Sequence, residues 1–203
     1  MIDRRALLVL LAAATAGVVR RSAAADVATD SPAATIGSLQ QALVAAGRAG
    51  GVEQRHRALE PVIVATHDLP YIAEFALRRQ WSSLAEADRQ RFIAAFQRLS
   101  VMTYAARFAN VAADTFRPIV AGTADGNGRV QVTTAIRRDG QPDVSLEYLL
   151  QQGEQGWRII NIVADGVSDL ALKRAEYQRV FAGGGIEGLI AELERQTDRL
   201  AGG

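Results

Sequence analysis

The sequence predicts an α+β fold in which helices come first, an antiparallel sheet follows, and helices return at the end. From about residue 35 to residue 110, apolar residues recur at helical spacing. From 116 to 165 they alternate in short runs that are separated by glycine-containing turns, which is typical of strands. After residue 168 the helical spacing returns. The helices are therefore expected to pack on the sheet.

Four helices are predicted in the first half, at residues 35–49, 52–66, 68–80 and 83–110. Gly50 and Gly51 end the first helix, and Pro61 is expected to kink or break the second. Asp68 is a predicted N-cap with a proline two residues later. Tyr71 and Phe75, four residues apart, should share a face of the third helix.

The longest predicted helix carries the densest aromatic pattern. Ser83 and Glu86 match a capping box at its start. Phe92 and Phe96 then recur at helical spacing together with Tyr104 and Phe108, which lie further along the same segment. This pattern predicts a wide apolar stripe that faces the interior.

The sheet is predicted to be a four-stranded antiparallel meander, with strands at residues 116–122, 129–138, 144–151 and 157–165. The tight turns between them include Asp125–Gly128, a strong hairpin signal. Alternation places Val132 with Ile136, and Leu146 with Tyr148, on one face of their strands. Ile162 is expected on the same inner surface.

The last two helices are predicted at residues 168–185 and 186–200. Ser168 is the expected N-cap of the first, and Gly183–Gly185 is its expected end. A chain of 203 residues fits one domain, which could comprise two lobes. We assign that domain to residues 26–203.

The first 25 residues predict a secretory signal peptide. Arg4 and Arg5 give a positive start, residues 6–19 are apolar and uncharged, and residues 22–25 are small. The apolar run is short for a membrane span, so cleavage is expected, with an uncleaved anchor or a buried helix as the alternatives. The protein is therefore predicted to be exported.

Composition excludes several classes of function. Hydrophobic residues make up 49% and charged residues 22% of the chain, which favours a soluble globular protein over a disordered one. The net charge of +1 becomes −2 without residues 1–25, which contain four arginines and one aspartate, so nucleic acid is not an expected partner. The chain has no cysteine, which excludes disulfides, thiolate zinc sites and a thiol nucleophile.

No catalytic or metal-binding motif stands out. His56 and His67 lie eleven residues apart without a zinc-ligand spacing, so no metal and no cofactor are expected. Gly166–Leu170 resembles a nucleophile elbow only superficially, because Leu170 replaces its second glycine. The protein is therefore predicted not to be an enzyme. The apolar residues of helices and sheet could form either a packed core or the wall of an apolar cavity, and periodicity does not separate the two.

Several short segments resemble one known family in their order and spacing. They are Arg78–Trp81 before Ser83, Phe92–Phe96, Tyr104, Tyr148–Leu150, Trp157–Ile159, Gly166–Ser168 with Arg174 and Tyr177, and Gly185–Ile190. Over roughly residues 35–200 the chain resembles the MlaC-type toluene-tolerance auxiliary proteins, and residues 168–177 are similar to the hopanoid-associated HpnM branch. It departs from the family at Asn161, where an aspartate is usual, and at Tyr177, where a phenylalanine is usual.

The resemblance implies a periplasmic shuttle for a phospholipid or a hopanoid, shaped as an NTF2/cystatin-like cone around an apolar cavity. Its expected partners are an inner-membrane ABC transporter complex and an outer-membrane lipoprotein complex, and a monomer is expected. The predicted lipid-binding residues are Phe75, Phe92, Phe96, Tyr104, Phe108, Val132, Ile136, Leu146, Tyr148, Ile162 and Val167.

Two other functions remain open at this point. One is a small-substrate enzyme on a similar scaffold, for which Asp165 with Tyr104 or Tyr148 would be the candidate acid–base groups. The other is a ligand-free adaptor that binds another envelope protein through an exposed apolar patch.

Overall fold

The computed structural model describes residues 27–202, so the predicted signal peptide lies outside the described residues. The helices are α1 (Pro32–Gly47), α2 (Val52–Thr66), α3 (Leu69–Ala76), α4 (Arg78–Trp81), α5 (Glu86–Arg107) and α6 (Asp169–Ala201). The strands are β1 (Val120–Ala124), β2 (Arg129–Arg138), β3 (Gln141–Gly153), β4 (Gly156–Ala164) and β5 (Val167–Ser168). Within residues 27–202, none of the helices combines the length and the hydropathy needed to cross a membrane.

The predicted α+β fold is confirmed, although the antiparallel meander has five strands in the order β1-β2-β3-β4-β5 instead of four. The additional strand β5 has only two residues, too few for alternation to reveal it in the sequence. The first strand begins at Val120 and not at Phe116, which forms an isolated bridge with Ile136.

Two predicted helix caps are confirmed by side-chain hydrogen bonds. The Tyr71 amide donates to Asp68 Oδ1 at 3.1 Å, and the Ala171 amide donates to Ser168 Oγ at 3.2 Å. Each side chain thereby satisfies one amide that has no partner within its helix. These caps fix where α3 and α6 begin beside the sheet.

The predicted capping box at Ser83 is wrong. The N-cap of α5 is Ala85, which makes no side-chain cap bond, and Ser83 Oγ instead donates to the Gln80 carbonyl at 2.7 Å. The Ser83 hydroxyl is therefore engaged in the turn after α4 and does not cap α5. The predicted helix at 68–80 is likewise divided, because α3 ends at Ala76 and α4 is a separate single turn.

The glycine run near the end of the chain breaks a long helix into two segments. Gly185 has φ 59° and ψ −159°, which is outside the helical region, so residues 169–184 and 186–201 are separate helical segments of α6. The predicted stop at Gly183–Gly185 is therefore confirmed at Gly185. The second segment lies along α5, where Glu187 pairs with Arg91 and Glu194 with Arg98.

The hydrophobic core lies against one face of the sheet. The residues of β2 and β3 buried there alternate along each strand and are Val130, Val132, Thr134, Leu146, Tyr148 and Leu150. The same continuous cluster includes buried residues from the long helices, among them Leu39, Ile63, Ala73, Phe96 and Leu189. This core leaves the opposite face of β3, which carries Glu147 and Leu149, for other contacts.

The junction between α2 and α3 lies along the edge of β4. The Asp68 amide donates to the Ile159 carbonyl at 2.9 Å, next to a parallel bridge between His67 and Ile159. On the same strand, Thr35 Oγ1 of α1 donates to the Trp157 carbonyl at 3.1 Å. The first bond attaches the start of α3 to β4, and the second attaches the start of α1 to the same strand.

Candidate functional site

A cavity of about 480 Å³ lies between α3, the sheet and the first segment of α6, and we call it the α3–α6 cavity. Its volume falls within the range of small-molecule sites. Its apolar wall consists of Tyr71, Phe75, Leu149, Ile160, Leu170, Ala171 and Ala175. Its polar wall consists of Arg129, Asn161, Ser168, Arg174 and Gln178.

The sheet wall of this cavity depends on an irregularity in β4. Leu149 pairs with Asn161, whereas the next residue, Leu150, pairs with Ile159, so Ile160 is an extra residue opposite the partner strand. Such a bulge changes the direction of the side chains around it. Both Ile159 and Ile160 are consequently buried, and Ile160 contributes to the cavity wall.

The helical wall is formed by a stacked aromatic pair on α3. Tyr71 and Phe75 have ring centroids 6.1 Å apart and an interplanar angle of 27°, as their four-residue spacing predicts. The Cζ atoms of Arg174 and Arg78 lie 5.8 Å and 5.6 Å from the Phe75 centroid, which is cation–π distance. The aromatic pair therefore joins an apolar wall to cationic groups.

The polar wall is held by a hydrogen-bonded group where β4 and β5 meet α6. Asn161 Oδ1 accepts from Ser168 Oγ at 3.0 Å and from the Leu170 amide at 3.4 Å. Gln178 Nε2 is buried and makes no hydrogen bond to residues 27–202. The Arg129 guanidinium lies 3.5 Å from the Tyr71 hydroxyl.

Only one predicted lipid-binding residue, Phe75, lines the α3–α6 cavity. Val132, Leu146, Tyr148, Phe92 and Phe96 are buried in the core, Tyr104, Phe108, Ile136 and Ile162 pack against it half-buried, and Val167 is 52% exposed. Contact of these ten residues with a lipid remains a prediction. By strand alternation, the predicted residues of β2 and β3 lie on the face opposite to that of Leu149.

Sequence reasoning missed the other residues of the cavity. Leu149 could have been identified from the sequence, because it is an apolar residue on a strand face that otherwise carries Glu147 and Gln151. Ile160 could not, because no feature of the Trp157–Ala164 run indicates the bulge. Arg129 and Arg174 are far apart in the sequence, and only the fold places both in one wall.

A second depression of about 640 Å³ lies between α1 and residues 113–119. Its wall includes Gln40, Val44, Arg48, Phe116 and Ile119. Gln40 Nε2 is buried there and makes no hydrogen bond to residues 27–202. Apart from two glutamine side chains, Gln40 and Gln41, and two arginine side chains, the wall is apolar or small, and it shares no residue with the α3–α6 cavity.

The groups considered for acid–base chemistry do not line the α3–α6 cavity. Asp165 is in an exposed turn, and its Oδ1 accepts from the Ser145 amide at 2.9 Å. Burial raises the pKa of Tyr104 and of Tyr148. Tyr104 OH lies 2.9 Å from Nε2 of the buried His67, whose pKa burial lowers to about 4. Residues 27–202 contain no cluster of three or more side chains suited to a metal ion.

Comparison with known proteins identifies the family. The family model described as MlaC protein matches residues 35–195, which is most of the chain. The chain belongs to the MlaC family. This confirms the predicted family and nearly the predicted extent, while assignment of this MlaC-family chain to the HpnM branch stays a prediction.

A solved structure provides an independent comparison of the fold. It is a phospholipid-binding protein from Ralstonia solanacearum in complex with a phospholipid. Its TM-score to this MlaC-family chain is 0.69 at 22% sequence identity, and the match covers 83% of this chain and 98% of the other. At this identity the likeness concerns the fold, which the two chains share along nearly the whole length of the Ralstonia protein.

Proposed function

We propose that this protein is a periplasmic lipid carrier and not an enzyme. It holds the apolar part of one lipid in the α3–α6 cavity while the lipid passes between the inner and outer membranes. The observation that carries the proposal is a cavity with an apolar wall in a member of the MlaC family. The phospholipid bound to the Ralstonia protein of the same fold supports it further.

The physical requirement for such a carrier is simple. Each methylene of an acyl chain exposed to water costs about 0.8 kcal/mol, so a lipid rarely leaves a membrane unaided. An apolar wall such as that of Phe75, Leu149 and Ile160 offsets this cost during transfer. Transfer needs no bond to be made or broken, so a carrier requires no acid, base or nucleophile.

The proposal includes export and two membrane partners. The segment 1–25 acts as a cleaved signal peptide, and residues 26–203 form the carrier domain. The partners are an inner-membrane ABC transporter complex and an outer-membrane lipoprotein complex, as family membership suggests. The cargo is a phospholipid, with a hopanoid as the alternative that the similarity to the HpnM branch favours.

The test is native mass spectrometry with lipid extraction, applied to protein purified from the periplasm of cells that express the full chain. We expect one bound lipid per chain. Ala175→Phe introduces a large side chain from an exposed position of the cavity wall, so it should abolish most lipid binding without unfolding the protein. Ala182→Phe is the matched control, because Ala182 is an exposed alanine of the same helical segment outside that wall.

Each outcome separates the possibilities. A lipid-free mass for the original chain, unchanged after incubation with membranes, would contradict the carrier function. Equal lipid content in the two variants would place the lipid elsewhere, with the second depression beside α1 as the next site to test.

A further inference from the structure

We propose that the α3–α6 cavity selects lipids whose headgroup carries a net negative charge, and that Arg129 and Arg174 bind that headgroup. The inference rests on the proposed carrier function and goes beyond it, because a carrier could equally be indifferent to the headgroup. It follows from the charges, the hydrogen-bond donors and the apolar surface that meet in this one wall.

The charged side chains of the cavity wall are all cationic. Arg129 and Arg174 both line the cavity and are half-buried, and the wall contains no aspartate or glutamate. Neither guanidinium forms an ion pair with any residue from 27 to 202. Two half-buried cations without a carboxylate attract an anion more strongly than two fully solvated ones would.

The acidic residues nearest to Arg174 along α6 have other partners. Asp169 pairs with Lys173 at 2.5 Å, and Glu176 accepts from Gln196 at 2.7 Å. The Arg174 guanidinium instead lies near the face of Phe75. An arginine that stacks on a ring keeps its N–H groups available for a further acceptor, and its planar fork suits the oxygens of a phosphate.

The two arginines are connected through the aromatic pair. Arg129 lies beside the hydroxyl of Tyr71, and Arg174 lies beside the ring of Phe75, whose neighbour in the stack is Tyr71. Both cations therefore lie beside the same aromatic pair in the wall of one cavity.

The uncharged polar groups of the wall also favour an acceptor-rich ligand. Gln178 Nε2 is a buried donor that makes no hydrogen bond to residues 27–202. Ser168 Oγ is already engaged as a donor to Asn161 and as an acceptor from the Ala171 amide. The groups left for a ligand are therefore mainly N–H donors, which match the phosphate and ester oxygens of a glycerophospholipid.

The apolar part of the wall makes an amphiphile a better occupant than a free anion. Phe75, Leu149, Ile160 and Leu170 offer surface that inorganic phosphate cannot use. Because both ligands share the phosphate chemistry, the experiment must distinguish a lipid headgroup from phosphate alone.

The test measures the headgroup preference directly. The purified chain is incubated with vesicles of equimolar phosphatidylglycerol and phosphatidylcholine with identical acyl chains, and the bound lipid is then extracted and quantified. We expect phosphatidylglycerol to be enriched about tenfold, a ratio that corresponds to about 1.4 kcal/mol. The enrichment should decrease as salt concentration rises, because salt screens partly exposed charges.

Three variants assign the preference to these residues. Arg129→Gln and Arg174→Gln should each lower the enrichment severalfold. Asn161→Asp should lower it as well, because it adds a negative charge to the wall while a carboxylate can still accept from Ser168 Oγ and the Leu170 amide. Arg57→Gln is the control, since Arg57 is an exposed arginine of α2 that does not line the cavity. It should leave the ratio unchanged.

The outcomes are separable. Equal uptake of both lipids would overturn the headgroup preference and leave the carrier function intact, whereas uptake of neither lipid would contradict the carrier function itself. An enrichment that survives in all three variants would overturn the assignment to Arg129 and Arg174.

If excess inorganic phosphate binds the lipid-free chain and removes the enrichment, the site binds a free anion and the proposal is wrong. Thermal unfolding of each variant confirms that it is folded.

Discussion

His67 is a neutral histidine held in the interior by two hydrogen bonds. Its Nδ1 lies 3.0 Å from Thr66 Oγ1, and its Nε2 lies 2.9 Å from Tyr104 OH. Burial lowers its pKa from 6.5 to about 4, because the charged ring would lose its hydration. The unfolded chain therefore binds more protons than the folded one between these two pH values.

This difference predicts a loss of stability in acid. Stability rises with pH wherever the unfolded state binds more protons, so the His67 contribution is complete above pH 6.5 and disappears as the pH falls towards 4. Over the whole pH range of the titration, this pKa shift changes the free energy of unfolding by about 3 kcal/mol. Between pH 7 and pH 5 the change is about 2 kcal/mol. Urea unfolding of the original chain and of His67→Gln, each at pH 7 and at pH 5, measures this change in the free energy of unfolding.

Carboxylates also titrate in acid, so the relevant quantity is the difference between the two proteins. His67→Gln should be less stable at pH 7 but should lose about 2 kcal/mol less on acidification. His56→Gln is the control, since His56 is not buried, and it should follow the original chain. Parallel losses in all three proteins would show that His67 is not the group responsible.

At the scale of elements, α6 is divided by a break at Gly185. The first segment of α6 forms one wall of the α3–α6 cavity, whereas Leu189, Ile190 and Leu193 of the second segment are buried in the core. Gly185 joins the two segments with backbone angles that are essentially restricted to glycine. The helix is therefore interrupted at this residue, between the segment that lines the cavity and the segment that packs in the core.

Gly185→Ala should destabilise the protein by about 1–3 kcal/mol, because the added Cβ is strained at these angles although no neighbouring atom obstructs it. Gly183→Ala should instead stabilise it by about 0.5–1 kcal/mol, since Gly183 is exposed and helical and alanine is the better helix former. Chemical denaturation of both variants checks the prediction. A shift of the same sign in both would contradict the strain at Gly185.

At the scale of the molecule, binding of a lipid in the cavity is expected to stabilise the folded protein. The cavity is assembled from α3, four strands and α6, so a ligand that binds there can recognise only the folded chain. Such a ligand stabilises the fold by mass action. Lipid content should therefore be visible in the unfolding transition of the whole protein.

Lipid removal should lower the unfolding temperature, and re-addition at a hundredfold excess over Kd should raise the free energy of unfolding by about 2.7 kcal/mol. Circular dichroism during heating, with and without phosphatidylglycerol, measures the change. Ala182→Phe should respond as the original chain does, whereas Ala175→Phe should not respond. Stabilisation of both variants to the same degree would contradict a lipid site in this cavity.

The sequence by itself determined the fold class, the family and the approximate positions of most helices and strands, because these depend on local patterns. Helical periodicity, the hairpin signal at Asp125–Gly128, the Ser168 cap and the Gly183–Gly185 stop are all readable within a few residues of the chain. The capping box predicted at Ser83 was wrong because the Ser83 hydroxyl donates to the Gln80 carbonyl in the preceding turn.

Only the tertiary structure decided which residues form the cavity. The sequence pointed to the aromatic and alternating residues of the inner sheet face, and most of these fill the core. The cavity lies on the opposite face, where the unpredictable bulge at Ile160 meets Phe75 from α3 and Arg174 from α6. Periodicity indicates that a side chain points inward, but whether it meets another side chain or an open space depends on elements distant in the sequence.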